Sequence, residues 1–510
     1  MNQAPYKIKE QLKAIPFVEI VLPYTEFFIS KADLKLLPWI QDKLECKLLE
    51  ELSYTAEVTL YAELNKFIAS GETDFEQFVE RMVLSLATNY PVLDKKLRVK
   101  SRNFSNHIHN IITRFQKDVK SIESTFNLKS IEIVDIDLCI GDMHNGEGTS
   151  SVSLSDGTKL IYKPRNVGIT HSYNSFINWV NCKVKADLKT FNVLDCGGYG
   201  WIEFVNYEPV SSEDDLREYY YKAGVLLAVT LLLGSKDCHH ENLIASGKNP
   251  VIIDHETIIQ PVFNDKSFRS WNSQFNIPDF SVLESVLIVN QDTGAPLNNV
   301  GYGVLGHVDV TDLDRVVINP NTLYSKISTR VTTRKIGRKN IPVFKGKYHF
   351  VNDYKENFID GFSVAYDVFL SSKVELKSGN SPLKFFISNE MRYVWRPTFI
   401  YFKILKYLRL GSFMANYQVY QSTLYDLLSK AFKGENREDY KFILDYEVKQ
   451  MLNGDIPIFN LKSEDDFLVD NKLIKIFEYN CIQNIFHRID LLSDAHKEEQ
   501  IRFIRKWVNI

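Results

Sequence analysis

The sequence predicts an α+β protein in which a helical N-terminal region is followed by a strand-rich segment and then by a second, mostly helical part. Up to about residue 128, apolar residues recur at helical spacing, most clearly between Ala32 and Ala69. From Ile131 the period changes to the alternation typical of strands, and Asp156-Gly157 supplies a tight-hairpin signal. Helical spacing returns after the strands and again from about Phe399.

Composition indicates an ordinary soluble globular chain. It has 510 residues, of which 45% are hydrophobic and 25% charged. The 61 basic and 64 acidic residues create no global field that would favour nucleic acid or an anionic membrane. The longest apolar run, Ala223 to Leu233, is shorter than the roughly 20 residues that a bilayer span needs, so it predicts a buried helix.

Targeting and redox signals are also sparse. The first 16 residues contain no apolar core of the kind that a signal peptide requires. The six cysteines are scattered and form no Cys-x-x-Cys pair, which predicts reduced thiols in a cytoplasm and neither a zinc site nor a disulfide framework.

Three oxygen-bearing side chains stand at a spacing that is typical of phosphoryl transfer. Asn242 follows Asp237 by five positions. Protein kinases use this interval for the Asp that orients the attacking hydroxyl and the Asn that holds Mg²⁺. Asp254 ends the apolar run 251–253, where a carboxylate that leaves a buried strand can serve a second metal position. Each element alone is common by chance, but together they predict a kinase-type site.

A lysine closes the hairpin that lies upstream of this stretch. Lys163 ends the second hairpin strand, where kinases place the residue that contacts the nucleotide phosphates. A strand-edge lysine that prevents aggregation would look the same by position alone. Two further strands between residues 190 and 207, a helix over 213–233, the Asp237 stretch and the strand before Asp254 then follow. This order is that of a kinase small lobe running into its large lobe.

The predicted fold class is therefore α+β, with a bilobal lipid/protein-kinase-like core, an N-terminal helical region and extra helices in the C-terminal lobe. The predicted domains are a helical region over 1–128, a β-rich small lobe over 129–210 and a mostly helical large lobe over 211–510, with an activation-type insertion at about 260–348. The insertion carries a basic cluster, predicted either as a solvated loop or as the equivalent of an activation loop, formed by Arg330, Arg334, Lys335, Arg338 and Lys339.

The motifs resemble those of a known family. Asp237-Cys-His239-His-Glu-Asn242 with Ile253-Asp254 is similar to the Asp-Arg-His-x-x-Asn and Ile-Asp-Phe-Gly patterns of lipid kinases. Asp254-His255-Glu256-Thr257 instead resembles the Asp-x-Glu-Thr of the dehydratase domain of class II lanthipeptide synthetases (LanM). Further segments similar to that domain are, in order, Tyr90-Pro-Val-Leu93, Gly141-Asp142-Met-His144, Lys159-Leu-Ile-Tyr-Lys163-Pro-Arg165, Arg392-Tyr-Val-Trp-Arg396-Pro-Thr398 and Gly454-Asp-Ile-Pro-Ile-Phe459.

The resemblance implies a dehydratase of lanthipeptide (lantibiotic) biosynthesis that works in two steps. In the first, ATP phosphorylates a Ser or Thr of a precursor peptide, with Asp237 positioning the hydroxyl. Asn242 and Asp254 are expected to bind Mg²⁺, and His239 to support the transition-state charge. Glu256 is expected either to bind metal or to orient the loop.

In the second implied step, phosphate leaves as the α-proton is removed, giving dehydroalanine or dehydrobutyrine. This step needs a base, a cation near the amide oxygen and a clamp on the phosphate. Lys163 is the expected cation, and Arg392 and Thr398 are the expected clamp. Asp142 or His144 is expected to support the base.

Two alternatives remain open. The chain could be a plain kinase of lipid, small molecule or protein in which the elimination residues are structural, or a degenerate scaffold that holds the precursor for a separate cyclase. Complete LanM enzymes continue into a zinc-binding cyclase, and the scattered cysteines predict none here. The expected cofactors are ATP and Mg²⁺ without zinc. The expected partners are a precursor peptide and a separate cyclase, with no nucleic acid and no integral membrane segment.

Overall fold

The computed structural model describes residues 10–26, 36–138, 140–141, 143–264, 276–290, 300–303, 309–335, 338–432, 440–468 and 475–508. The chain divides into two compact units. The first unit comprises residues 1–164, 311–333 and 397–457, and the second comprises 165–310, 334–396 and 458–510.

Both helices and short antiparallel sheets are present, which confirms the predicted α+β class. The longer helices are α1 (Pro38–Ala69), α2 (Phe75–Asn89), α3 (Pro91–Phe126), α4 (Gly168–Val184), α5 (Glu213–Leu233), α6 (Lys355–Ser371), α7 (Thr398–Tyr407), α8 (Tyr417–Ser429), α9 (Lys441–Leu452), α10 (Cys481–Leu491) and α11 (Asp494–Val508). Short helical turns lie at Val18–Val21, Lys373–Leu376 and Gly411–Met414.

The strands are β1 (Ile133–Asp137), β2 (Ser150–Leu154), β3 (Lys159–Lys163), β4 (Val193–Asp195), β5 (Gly200–Glu203), β6 (Leu243–Ser246), β7 (Asn249–Ile252), β8 (Val262–Phe263), β9 (Asp309–Ile318), β10 (Lys326–Lys335), β11 (Val343–Phe344), β12 (Lys347–Tyr348), β13 (Glu390–Tyr393), β14 (Phe459–Lys462) and β15 (Phe477–Tyr479).

The first unit is built on the long helices α1 to α3. Helix α2 is capped by Asp74, whose side chain accepts a hydrogen bond from the main chain of Glu76. Helix α3 begins at Pro91, which suits the first helical position because proline lacks an N–H. The segment Tyr90-Pro-Val-Leu93 therefore forms the start of this helix, with Tyr90 at the N-cap.

Strands β1, β2 and β3 form an antiparallel meander in the first unit, with the register Ser150↔Tyr162 between β2 and β3. This confirms the predicted hairpin around Asp156-Gly157. Strands β9 and β10 form a long hairpin within the region predicted as an activation-type insertion. Three residues of the basic cluster, Arg330, Arg334 and Lys335, consequently lie on strand β10 and not on a loop.

The second unit has helices α5 and α6 at its centre, packed backbone to backbone. A Cβ atom on Gly224 of α5 would lie 1.9 Å from the Phe358 carbonyl oxygen, and one on Gly361 of α6 would lie 1.9 Å from the Tyr221 carbonyl oxygen. Glycine is therefore required at both crossing points. Helix α5 begins with a capping box at Ser212, and its residues 223–233 are buried, as the apolar run predicts.

The kinase-like bilobal arrangement and the boundaries at residues 128 and 210 stay predictions. Within the described ranges, no helix combines the length and the apolar character that crossing a membrane would require.

Candidate functional site

The Asp237 loop, residues 234–242, joins helix α5 to strand β6 in the second unit. Helix α5 ends at Gly234, whose φ of 68° lies in the left-handed region that favours glycine. Strands β6 and β7 pair antiparallel with Leu243 opposite Ile252, and the Ile253 amide donates to the Asn242 carbonyl oxygen over 3.0 Å. The hairpin therefore brings the main chains of Asn242 and Ile253, the residue before Asp254, side by side.

Asp237 has a φ of 61°, an uncommon conformation for a residue with a side chain. The loop holds it there from both sides. The Cys238 amide donates to the Ser285 carbonyl oxygen over 2.8 Å, and the Asn242 side-chain amide donates to the Asp237 carbonyl oxygen over 2.8 Å. Residues kept in sparsely populated conformations by surrounding contacts are concentrated at functional sites.

The hydrogen bonds of Thr257 show why the Asp254-His-Glu-Thr motif ends in a residue with a hydroxyl group. Its hydroxyl donates to the Lys236 carbonyl oxygen over 2.7 Å, and the Lys236 amide donates to the Thr257 carbonyl oxygen over 3.1 Å. The strand that delivers Asp254 is thereby fastened to the residue before Asp237. Burial lowers the pKa of Lys236.

The orientation of the Asn242 amide follows from its partner. Because the Asp237 carbonyl oxygen can only accept, the Asn242 nitrogen must face it, and the Asn242 side-chain oxygen is left for another contact. The Asp254 carboxylate is oriented through the Glu256 main chain, whose N–H donates to Asp254 Oδ1 over 3.2 Å.

Among the described residues, no group of three or more His, Cys, Asp or Glu side chains converges to enclose a metal ion. Two oxygen ligands at adjacent chain segments nevertheless fit Mg²⁺, which usually takes one or two protein ligands and completes its shell with water and phosphate oxygens. Asn242 and Asp254 offer such a pair.

His239 is held in one tautomer by the loop itself. Its Nδ1 accepts a hydrogen bond from the Glu241 amide over 3.1 Å, so the proton of the neutral ring lies on Nε2. Nε2 is 3.7 Å from Asp237 Oδ1. His239 therefore presents an N–H donor beside the Asp237 carboxylate.

Glu256 is buried and forms an ion pair with Arg165, with 2.8 Å between Oε2 and Nη1. In the sequence, Arg165 ends the Lys163-Pro-Arg165 motif, and the family resemblance assigned no role to it. The pair links that motif to the Asp254-His-Glu-Thr motif and neutralises the Glu256 carboxylate, which favours an orienting role for Glu256 over a metal role.

His255 directly follows Asp254, where the Asp-Phe-Gly sequence pattern of protein kinases has Phe. Its ring is buried, stacks on Tyr173 at 4.2 Å between ring centroids and meets Phe191 edge-on at 5.1 Å. Nδ1 lies 3.2 Å from the Thr170 hydroxyl on helix α4. His255 therefore packs as a core aromatic residue.

Arg392 lies on strand β13, next to the chain that follows Asp254. Its amide donates to the Glu256 carbonyl oxygen over 2.9 Å, and its carbonyl oxygen accepts from the Gln260 side chain over 2.7 Å. The second unit thus brings Arg392 beside the Asp254-His-Glu-Thr motif, although the two are more than 130 residues apart in sequence.

The His144 turn, residues 143–147, lies in the first unit. His144 and Glu147 exchange main-chain hydrogen bonds of 2.9 and 3.0 Å, and Asn145 and Gly146 both have positive φ, as in a two-residue type I′ turn. A Cβ atom on Gly146 would lie 2.6 Å from the side chain of Asn103 on helix α3, which requires glycine there.

The segment around Asp455 holds this turn from a point more than 300 residues later. The Gly146 amide donates to Asp455 Oδ1 over 2.9 Å, and the Ile456 amide donates to the Met143 carbonyl oxygen over 3.3 Å. His144 Nδ1 lies 2.7 Å from the Ile456 carbonyl oxygen. A carbonyl can only accept, so Nδ1 carries the proton and the lone pair of the neutral His144 ring lies on Nε2.

Two carboxylates of this region have opposite pKa shifts. Burial raises the pKa of Asp455, and the Gly146 N–H opposes that effect only in part. Burial also raises the pKa of Glu147, but the contacts with His107, Asn110 and Arg114 on helix α3 outweigh it, so the pKa of Glu147 lies below its ordinary value. His107 is buried, with Nε2 2.9 Å from the Ser150 hydroxyl, whereas His109 is exposed.

The remaining predicted residues are placed as follows. Lys163 ends β3 in the first unit and is buried. Thr398 is the first residue of α7, also in the first unit, and is half-buried. Asp142 lies outside the described residues.

Sequence reasoning gave no role to Arg165, Asp455 and Gln260. Arg165 and Asp455 lie inside motifs that carry the family resemblance, and this location in the motifs could have indicated that they have a role. Gln260 stood in no motif.

Comparison with known proteins adds two findings. A sequence profile of the family described as "Domain of unknown function (DUF4135)" matches residues 90–462, which include the Asp237 loop, the His144 turn and Arg392. The lacticin 481/lactococcin biosynthesis protein LcnDR2 of Lactococcus lactis subsp. lactis is 26% identical to the chain. The match covers 92% of this chain and 50% of that relative, so the chain spans about half the length of the curated relative.

Proposed function

The chain belongs to the DUF4135 family, and from that premise we propose that it is a dehydratase of lanthipeptide biosynthesis. The proposed substrate is a precursor peptide. Its Ser and Thr residues are first phosphorylated by ATP, and phosphate is then eliminated to give dehydroalanine or dehydrobutyrine. The name of the Lactococcus relative, a lacticin 481/lactococcin biosynthesis protein, supports this class of substrate. According to this proposal, the protein is a peptide-modifying enzyme of the LanM type.

One observation carries the phosphorylation step. The β6–β7 hairpin brings Asn242 next to the strand end that bears Asp254, and the Asn242 amide fastens the strained Asp237. Asp237 accepts the proton of the substrate hydroxyl while the hydroxyl oxygen bonds to the γ-phosphorus, and ADP leaves with the electron pair of the broken bond. The Nε2–H of His239 is suited to stabilise negative charge on the transferring group.

Asn242 and Asp254 would hold Mg²⁺, which supplies charge neutralisation for the phosphates when bound. We assign Glu256 to orientation of the loop, because its carboxylate is paired with Arg165. Lys163 is assigned to the phosphate groups and to the amide oxygen of the substrate. We expect activity to require Mg²⁺ and to survive a zinc-selective chelator. Loss of activity on removal of zinc alone would contradict this assignment.

The elimination step requires removal of the α-proton as the Cβ–O bond breaks, so that the electrons form the Cα=Cβ bond and phosphate departs. The lone pair on His144 Nε2, which follows from the Nδ1 contact with Ile456, supports His144 as the base. Arg392 and Thr398 are assigned to the departing phosphate, because guanidinium and hydroxyl groups both donate hydrogen bonds to phosphate oxygens.

Mass spectrometry of a precursor peptide co-expressed with the enzyme tests the proposal. The wild-type chain should lower the precursor mass by one water per modified residue. In Arg392→Met and Thr398→Ala, elimination should slow by about 10²–10³, by analogy with the loss of one oxyanion donor, and the mass should rise by one phosphoryl group per affected residue. A wild-type product that stays phosphorylated would indicate a plain kinase, and an unmodified precursor would indicate a binding scaffold.

A further inference from the structure

Arg392 is held at two points through its main chain. Its amide donates to Glu256 and its carbonyl oxygen accepts from Gln260 Nε2, over 2.9 and 2.7 Å. The Gln260 side chain is 1% exposed and donates also to the Ile259 carbonyl oxygen over 2.9 Å. The position of the Arg392 guanidinium thus depends on the Arg392 main chain, which the buried Gln260 side chain holds through its hydrogen bond to the Arg392 carbonyl oxygen.

Gln260 is in turn held by helix α10. Its main-chain carbonyl oxygen accepts from Asn484 Nδ2 over 2.7 Å, and Asn484 Oδ1 accepts from Arg488 Nε over 3.0 Å. Both side chains are almost fully buried. Arg488 Nη2 is paired with Glu284 at 2.5 Å, which neutralises the guanidinium in the core.

Asn484 and Arg488 also lie against the end of α5 and the start of the Asp237 loop. Arg488 Nη1 donates to the Leu231 carbonyl oxygen over 3.0 Å, in the last turn of α5. A Cβ atom on Gly234 would lie 2.6 Å from Asn484 Nδ2 and 2.8 Å from Arg488 Nε. Helix α10 therefore touches both the loop that carries Asp237 and, through Gln260, the strand that carries Arg392.

We propose that Gln260 is a positioning residue for Arg392 and that the buried Gln260–Asn484–Arg488 chain sets the placement of the Arg392 main chain relative to the Asp237 loop. This inference rests on the proposed function, because it assigns Arg392 to the elimination step. A buried hydrogen-bonded network suits this task, because moving any member leaves a buried polar group without its partner.

The test variant is Gln260→Met, which keeps the length of the side chain and removes the donor to Arg392. Gln500→Met is the matched control. Gln500 is also a 1% exposed glutamine of the second unit, and its side chain bonds the Val282 amide over 2.9 Å and His496 Nε2 over 3.0 Å, but not Arg392. Both variants lose buried hydrogen bonds, so thermal unfolding should report similar losses of stability.

Each variant is assayed as the full chain on two substrates, the unmodified precursor and a precursor that already carries phosphoserine. Gln260→Met should phosphorylate at the control's rate and eliminate phosphate about 10 to 100 times more slowly, the size expected from a small misplacement of a catalytic group. Phosphopeptide should accumulate in Gln260→Met and not in Gln500→Met.

Gln260→Glu gives a second, pH-dependent readout. A buried carboxyl between two carbonyl oxygens should have a raised pKa, because burial disfavours its charged form. The protonated form can donate to Arg392, whereas the ionised form is repelled by both oxygens. The elimination rate of Gln260→Glu should therefore fall as the pH rises, relative to the wild type at each pH, while its phosphorylation rate follows the wild type.

The outcomes separate this inference from the proposed function. Slow elimination in Arg392→Met together with normal elimination in Gln260→Met would overturn the inference and leave the proposed function standing. Equal slowing in Gln260→Met and Gln500→Met would also overturn it, because lost stability would then be sufficient. Normal elimination in Arg392→Met would overturn the proposed role of Arg392 itself. If Gln260→Met does not fold, the pH profile of Gln260→Glu decides, and a profile that matches the wild type counts against the inference.

Discussion

His239 and His144 have the same ring, but their surroundings hold the ring in opposite tautomers. His239 Nδ1 accepts from the amide of Glu241, two residues later, so that Nε2 is a donor. His144 Nδ1 donates to the carbonyl oxygen of Ile456, 312 residues later, so that Nε2 holds a lone pair. A donor suits stabilisation of charge on a phosphoryl group, and a lone pair suits removal of a proton.

The difference also concerns how each region is constructed. In the Asp237 loop, the side chains of His239 and Asn242 are bonded within the loop, to the Glu241 amide and the Asp237 carbonyl oxygen, and Ser285 and Thr257 hold the loop main chain from outside. The His144 turn is stabilised by distant segments, the loop at Asp455 and helix α3. Phosphorylation and elimination should therefore respond differently to substitutions, and the predictions below test that separation.

The largest effect is expected for Asp237→Asn. Asn tolerates the left-handed backbone of this position, so the loop should keep its shape, but the proton acceptor is lost. Phosphorylation should slow by about 10²–10⁴. Elimination from a supplied phosphopeptide should stay close to the wild-type rate, as measured by phosphate release. An equal loss in both steps would show that the two regions do not act separately.

The next effect tests the two tautomers. Asn places its amide nitrogen near the Nδ1 position of His, and Gln places its nitrogen near Nε2. His144→Asn should keep the bond to Ile456, lose the base and slow elimination by about 10²-fold or more, whereas His239→Gln should keep a donor and slow phosphorylation by only about 10-fold. His109→Asn on the exposed face of α3 is the control. Normal elimination in His144→Asn would remove His144 from consideration as the base.

A smaller effect is expected at Asp455, which acts on His144 only through the turn. Asp455→Ala removes the acceptor for the Gly146 amide, and elimination should slow by about 10-fold, the range of one hydrogen bond. Asp455→Asn keeps an oxygen in the same place and avoids a buried charge, so it should restore most of the activity. Equal rates for the two variants would show that the Asp455 bond does not position His144.

The comparison also explains what the sequence could predict. The spacing of Asp237, Asn242 and Asp254 places their chain segments together because a helix, a loop and a two-strand hairpin have few ways to connect. The same local logic predicted the β2–β3 hairpin and the helix over 213–233, both of which the structure confirms. The Arg165–Glu256 pair needed the tertiary structure, since no spacing rule links residues 91 positions apart.

Other features could not be read from the sequence for related reasons. The tautomer of His144 depends on the Ile456 carbonyl oxygen. Because every residue has a main-chain carbonyl, the sequence cannot show which one meets His144. Gln260 stands in no recognisable motif, because one buried glutamine resembles any other polar residue in a loop. Strands β9 and β10 were missed because the turn-rich composition of 260–348 concealed their alternation.

The smallest expected effect is the pH dependence of Glu147. Since the pKa of Glu147 in the folded chain lies below its ordinary value of 4.5, the unfolded chain binds this proton more tightly, and the charged carboxylate stabilises the fold. This stabilisation is complete above pH 4.5 and is lost as the pH falls through the lower, folded-state pKa. Its size should be up to about 1 kcal/mol, as for other partly exposed ion pairs.

Glu147→Gln isolates this contribution. The amide can still accept the 2.8 Å hydrogen bond from Asn110, but it carries no charge to face Arg114 at 3.6 Å or His107 at 3.8 Å. The free energy of urea unfolding should be higher for the wild type at pH 7, and the difference should shrink as the pH falls below 4.5. Elimination at pH 7 should change little, because the main-chain bonds of the turn and the His144–Ile456 bond are kept. A difference in unfolding free energy that stays constant with pH would show that the charge on Glu147 does not stabilise the turn.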